Sequence, residues 1–197
     1  MIRLTALWQR IPKAVLFGAA ILLQCALLIL MVADRVRILR EGREVTLQTR
    51  PVDPRDLLRG DYVVLGYDIS QLPAGALAGQ PTAERNPVVF VKLAPDANGL
   101  YQAVSVHAEP VTVTAPEVLI RGRVSYSCGS TSRTFCDKLT IRYGLESYFV
   151  PEGEGKTLEQ ARNQQKLRVV AAVLPSGRAA IKRLLLDGAP IYEEPLY

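Results

Sequence analysis

Two short stretches of this 197-residue chain concentrate the side chains with chemical potential. The first runs from Arg50 to Tyr67 and carries Arg55, Arg59, Gly60, Asp61, Tyr62, Leu65 and Tyr67. The second, YGLESYFVPEGEG, runs from Tyr143 to Gly155 and carries Tyr143, Glu146, Tyr148, Phe149, Glu152 and Glu154. A pair of carboxylates drawn from Asp61, Glu146, Glu152 and Glu154 is the equipment of a glycoside- or peptidoglycan-cleaving enzyme. Glu152 and Glu154, however, alternate with Gly153 and Gly155 and read as a solvated loop. Tyrosines and a phenylalanine around one or two fixed charges equally suit a recognition surface. Alternation in a strand puts Asp61, Val63, Leu65 and Tyr67 on one face and Tyr62 and Val64 on the other. Asp61 then begins a largely buried face, where a carboxylate needs hydrogen bonds or a cation; Arg55 and Arg59 are near enough in sequence to serve. That arrangement suits a structural lock at the start of the strand or a binding site.

Other chemistries find fewer parts. His107 is the single histidine, it alternates with valines as in a strand, and no G-x-S-x-G accompanies it, so a Ser-His-Asp triad is not expected. Neither a C-x-x-C pair nor a histidine cluster is present, which leaves no expected metal site, and no cofactor is expected either. Cys128 and Cys136 flank a short turn-rich segment, GSTSRTF, and suit a hairpin-closing disulfide in an oxidising compartment; two reduced thiols are the alternative.

The chain must also be placed. Ala14 to Ala33, AVLFGAAILLQCALLILMVA, is free of charge and as an α-helix spans about 30 Å, the hydrocarbon thickness of a bilayer. It is too long for the core of a signal peptide, and Met31 fits poorly in the candidate cleavage site. Gln24 precedes Cys25, against a lipoprotein signal. Retention as an anchor is expected, with Gln24 either a tolerated amide or a hydrogen-bonding contact to a second transmembrane helix. Basic residues flank both ends (Arg3, Arg10 and Lys13 before; Arg35, Arg37, Arg40 and Arg43 after), so charge does not choose an orientation. Residues 1–43 account for the whole net charge of +5, and residues 44–197 carry seventeen charges of each sign. The basic excess thus belongs beside a membrane, where cations meet anionic lipid, and nucleic acid is not an expected partner.

Beyond the anchor, residues 34–44 read as a helical extension and residues 45–197 as one domain. Val45 and Leu47 alternate with Thr46 and Gln48 in a first strand. Asp53-Pro54 with Asp56 suits one helical turn ending at Gly60. DYVVLGYDIS reads as the strongest strand, and Leu72 to Asn86 as a long loop. Strands follow at Val88–Leu93, Leu100–His107, Glu117–Tyr126 and Leu139–Tyr143. Thr157 with Gln160 forms a capping box opening a helix that extends toward Lys166. A meander closes the chain: Leu167–Leu174, a turn at Pro175–Gly177, Arg178–Leu186 and an Asp187-Gly188 hairpin turn. The fold class is mainly β, one transmembrane helix followed by an antiparallel barrel or sandwich-like domain with one short helix.

Gly60-Asp61-Tyr62-Val63-Val64-Leu65-Gly66-Tyr67 resembles, without departure, the pattern of the GDYXXLXY protein family. Tyr143, Gly144, Glu146, Tyr148, Phe149, Pro151, Glu152 and Gly153 are similar to that family's second characteristic stretch, and the hairpin from Gly177 to Gly188 to its closing region. The resemblance implies a bacterial envelope location and, often, a neighbouring gene for a multi-pass membrane protein; it implies no reaction. RGDYVVL is also similar to a box of type I signal peptidases, with Val91-Lys92 mimicking the lysine segment. Those enzymes need a serine soon after the anchor, and none precedes Ser70. The expected function is a non-catalytic accessory or binding subunit of a multi-pass inner-membrane protein. A hydrolase built on Asp61 and Glu146 is the competing expectation. Within the second stretch, Phe149 is expected to pack inward while Glu146 and Tyr148 meet Arg59 or Tyr62.

Overall fold

A computed structural model describes residues 12–52, 62–73, 77–78, 87–125, 138–151 and 155–195. The chain divides into two units, one ending at Arg37 and one running from Ile38 to Leu196. The first is built on helix α1 (Lys13–Glu41), among the described residues the one helix long and apolar enough to cross a membrane. Its side chains from Val15 to Val32 are exposed, as Phe17 and Leu22 illustrate. A helix suits such a segment because every backbone polar group inside it is satisfied locally, which hydrocarbon demands.

The second unit begins with the last turn of α1. Ile38 and Leu39 are buried against Ala172, Leu174 and Ala180, which fixes the helix end to the domain. The strands are β1 (Arg43–Arg50), β2 (Tyr62–Val64), β3 (Gly66–Tyr67), β4 (Gln71–Pro73), β5 (Leu77–Ala78), β6 (Val88–Pro95), β7 (Tyr101–His107), β8 (Val118–Ser125), β9 (Lys138–Arg142), β10 (Ser147–Phe149), β11 (Leu167–Val173), β12 (Ala179–Leu186) and β13 (Ala189–Glu193). Helix α2 (Gly155–Asn163) lies between β10 and β11. One sheet has the order β13-β12-β11-β1-β3, a second β4-β9-β8-β6-β7-β5, and β10-β2 forms a ribbon. Pairing is antiparallel except for β5 on β7. A bridge from Thr46 to Leu100 and a hydrogen bond from the Arg121 N–H to the Gly177 carbonyl (2.8 Å) join the two large sheets into a nearly closed, barrel-like β domain.

The inward residues of these strands form one core. Val45 and Leu47 of β1, Val89, Val91 and Leu93 of β6, and Val169 and Ala171 of β11 are all buried within it. The alternation expected in β1 is present, with Val45, Leu47 and Thr49 buried. The closing meander is also as expected, and Asp187 and Gly188 both take positive φ (50° and 88°), as a two-residue hairpin turn requires.

Three expectations are corrected. DYVVLGYDIS is not one strand. Tyr62–Val64 pairs with β10, whereas Gly66 and Tyr67 pair with Arg50 and Thr49 of β1, so the chain changes partner at Leu65 and then enters a 3-10 turn, Asp68–Ser70. Gly66 permits the change: a Cβ there would lie 2.3 Å from Cγ2 of Val52. The stretch from Leu72 is not loop throughout, since β4 and β5 fall at its start and pair with β9 and β7. Thr157 does not cap α2, which begins two residues earlier at Gly155. Burial of Leu158, Ala161 and Arg162 sets its register instead, and Gln165 at φ 58° ends it, with the Lys166 N–H on the Ala161 carbonyl. The helical turn expected at 53–60 lies outside the described residues.

Candidate functional site

The two chemically dense stretches are brought together. Val64 faces Ser147, Val63 faces Tyr148 and Tyr62 faces Phe149 across the β2–β10 ribbon. Where β2 ends, the Leu65 N–H donates to the Glu146 carbonyl (2.8 Å). Two buried tyrosines then bind each stretch to the other. The Tyr67 hydroxyl donates to the Leu145 carbonyl (2.6 Å), and the Tyr143 hydroxyl to the Ile69 carbonyl (2.7 Å). Each phenol satisfies a carbonyl that would otherwise be buried without a partner, so the ring adds apolar area and the hydroxyl fixes register.

Glu146 organises the turn between β9 and β10. One carboxylate oxygen accepts from the Tyr143 N–H (2.5 Å) and the other from the Gly144 N–H (3.0 Å). Each oxygen thus holds one backbone N–H of the turn. Burial, and secondarily the Glu146 charge, push the Tyr67 hydroxyl well above the usual phenol range, and the Tyr143 hydroxyl likewise. Neither tyrosine is thereby poised to act as a base near neutrality.

A third fastener comes from α2. Arg162 is fully buried, and its guanidinium donates to the carbonyl of Val64 and to that of Val52 (3.0 Å), with Asn163 Oδ1 taking two further bonds at 3.1 and 3.0 Å. Burial holds its pKa below the ordinary arginine value, partly offset by Glu159. The sequence gives little hint of this role, because Arg162 sits in a helix of polar residues. The available signal is its spacing of four and one from Leu158 and Ala161, which puts it on the buried face.

These contacts sort the predicted site residues. Leu65 and Tyr67 are core, as is Tyr143. Tyr148 is half-buried, packs on the core and lies 6.3 Å from the Tyr192 ring of β13, a neighbour the sequence did not suggest. Phe149 corrects the expectation that it packs inward. It is 81% exposed, and Tyr148 takes the inward side of β10 because it sits opposite buried Val63. The Tyr62 ring lies on the outer side with Phe149, 6.1 Å away and tilted 44°. Tyr62 thus meets Phe149, and neither Glu146 nor Tyr148 is its partner across the strands. Arg55, Arg59, Gly60 and Asp61 lie outside the described residues, as do Glu152, Glu154, Cys128 and Cys136.

With this geometry the sequence match acquires physical content. The family model for GDYXXLXY protein matches residues 24–184, most of the chain. The chain belongs to the GDYXXLXY family. No curated protein and no solved structure matches it. Within the GDYXXLXY motif, the leucine and final tyrosine are core positions, while the first tyrosine is half-buried on the opposite side of the ribbon from Val63.

Elsewhere, His107 Nε2 lies 2.8 Å from Ser105 Oγ, two residues away on β7. Among the described residues no carboxylate bonds its other ring nitrogen, so the pair lacks the orienting acid of a triad. Among the described residues, too, no three His, Cys, Asp or Glu side chains gather as a metal site would need.

Proposed function

We propose that this chain is a single-span membrane protein whose β domain, residues 45–197, stands in the bacterial periplasm and serves as an accessory or binding subunit of a multi-pass inner-membrane protein. One observation carries the reading. The motif spends Leu65, Tyr67, Tyr143 and Glu146 on fastening the fold, yet leaves Tyr62 and Phe149 as adjoining aromatic rings on the outside of a two-stranded ribbon. A phenylalanine 81% exposed gains nothing for the fold, and aromatic side chains are enriched where proteins meet. Helix α1 supports the membrane half of the reading. Glu146 serves the fold, each of its oxygens holding one backbone N–H group of the turn.

Purification of the tagged full chain in mild detergent tests the partner. Recovery of one stoichiometric multi-pass protein is the expected result; a clean monomer at every detergent strength contradicts it. A periplasm-dependent reporter fused after Tyr197 tests the side of the membrane, and activity only with a cytoplasmic reporter reverses it.

A further inference from the structure

The outer face of the six-stranded sheet carries three arginines that pair with no carboxylate among the described residues. Arg123 of β8 lies directly opposite Arg142 of β9. Arg121, two residues along β8, projects from the same face and is paired with Phe90 of β6. All three arginines are exposed. Directly opposed residues of an antiparallel pair have Cβ atoms about 5 Å apart, and like charges there repel. Among the described residues, no carboxylate pairs with any of the three guanidinium groups. Glu117, at the entry to β8, is paired with Lys92 at 2.7 Å. A polar row adjoins the arginines, with Thr140 facing Ser125 on one side and Gln71 on the other, and Gln71 held by Arg50 at 2.9 Å.

Residues 44–197 are neutral overall, so this is a local concentration of positive charge within a balanced domain. Guanidinium groups are weakly hydrated and present planar donor forks that match phosphate oxygens. The phosphate source is argued from the chain itself. Nine residues separate Ala33, the end of the uncharged segment, from Arg43, the start of the first strand, so the domain cannot leave the neighbourhood of any membrane that α1 crosses. Tethering of this kind makes each headgroup contact intramolecular, with effective concentrations reaching the millimolar range.

We propose that Arg121, Arg123 and Arg142 form a docking face for the phosphate headgroups of anionic phospholipid. The face is distinct from the Tyr62–Phe149 pair and does not depend on a protein partner, so either proposal can fail alone. Repulsion between Arg123 and Arg142 is relieved when phosphate oxygens lie between them, and Thr140 and Ser125 supply hydroxyl donors at the margin.

The test uses the full chain in neutral phosphatidylcholine nanodiscs, mixed with separate vesicles with and without phosphatidylglycerol. The wild type is expected to cosediment with the anionic vesicles and not with pure phosphatidylcholine. Each Arg→Gln change weakens binding about fivefold, and R121Q/R123Q/R142Q together roughly 100-fold, from about a factor of five per basic residue near an anionic surface. The R121K/R123K/R142K variant keeps the charges and stays within about tenfold of wild type, which separates lost charge from lost fold. Undiminished binding by the triple glutamine variant would assign the attraction to Arg35, Arg37, Arg40 and Arg43 and overturn the proposal. So would equal binding to both vesicle types, or displacement by millimolar inorganic phosphate at matched ionic strength.

Discussion

Tyr62 and Tyr67 lie in one motif, five residues apart, and take opposite roles. Tyr67 is wholly buried with its hydroxyl on the Leu145 carbonyl, whereas Tyr62 lies on the outer side of the ribbon beside exposed Phe149. The same division recurs in the second stretch, where Tyr143 is core and Phe149 is outside. Two tyrosines in one recognisable pattern therefore do not imply one function. Tyr67 belongs to the scaffold, and Tyr62 lies on the side of the ribbon away from buried Val63.

Arg162 holds the end of β2 through the Val64 carbonyl. Arg162→Met removes the donor for the part-buried Val64 and Val52 carbonyls and leaves both without it, at a cost of about 1–3 kcal/mol each. A total loss of about 3 kcal/mol or more is expected in denaturant unfolding of the detergent-solubilised chain, with the ribbon pairing lost first in hydrogen exchange. The two sides of the comparison separate next. Tyr67→Phe and Tyr143→Phe each strand a buried carbonyl and are expected to cost about 1–2 kcal/mol. Phe149→Ala, which empties no core, is expected to change stability by less than about 0.5 kcal/mol. Equal costs for Tyr67→Phe and Phe149→Ala would erase the distinction.

Alkaline titration sharpens it further. Both buried phenols have folded pKa values above their unfolded ones, so the unfolded chain loses these protons first. Their stabilisation is complete below the unfolded value, about 10, and falls as pH rises beyond it, at about 1.4 kcal/mol per pH unit for each phenol. The Tyr67→Phe/Tyr143→Phe double variant should show a shallower loss as pH rises beyond that value. The smallest effect belongs to Glu44 on β1. Its carboxylate is held below the ordinary range chiefly by hydrogen bonding to Lys182 (2.9 Å), with Arg183 adding a second ion pair. A lowered pKa gives stability that is present above the unfolded carboxylate value and lost as pH falls through the folded one. Because the site is largely open to water, Glu44→Gln should cost less than about 1 kcal/mol in acid-to-neutral unfolding curves.

Much of the fold was legible because its elements are local. The uncharged run from Ala14, the alternation of Val45 and Leu47, and the Asp187-Gly188 turn each state their structure within a few residues. The break at Leu65 was not legible. Nothing in DYVVLGYDIS says that its first half pairs with a strand eighty residues later and its second half with β1. The outward turn of Phe149 was hidden for the same reason. Alternation fixes which residues share a face, but only the register with Val63 decides which face is inside. Arg162 was illegible because its partners are backbone carbonyls, which carry no residue type.

The central claim is that the motif divides into a buried clasp and a displayed aromatic contact. Its most direct test places the photocrosslinker p-benzoylphenylalanine at position 149 of the full chain and irradiates native membranes. The expected product is one adduct with a multi-pass membrane protein, absent when the crosslinker replaces Tyr192 instead. Adducts only between copies of this chain, or the same partner captured from both positions, would contradict the division.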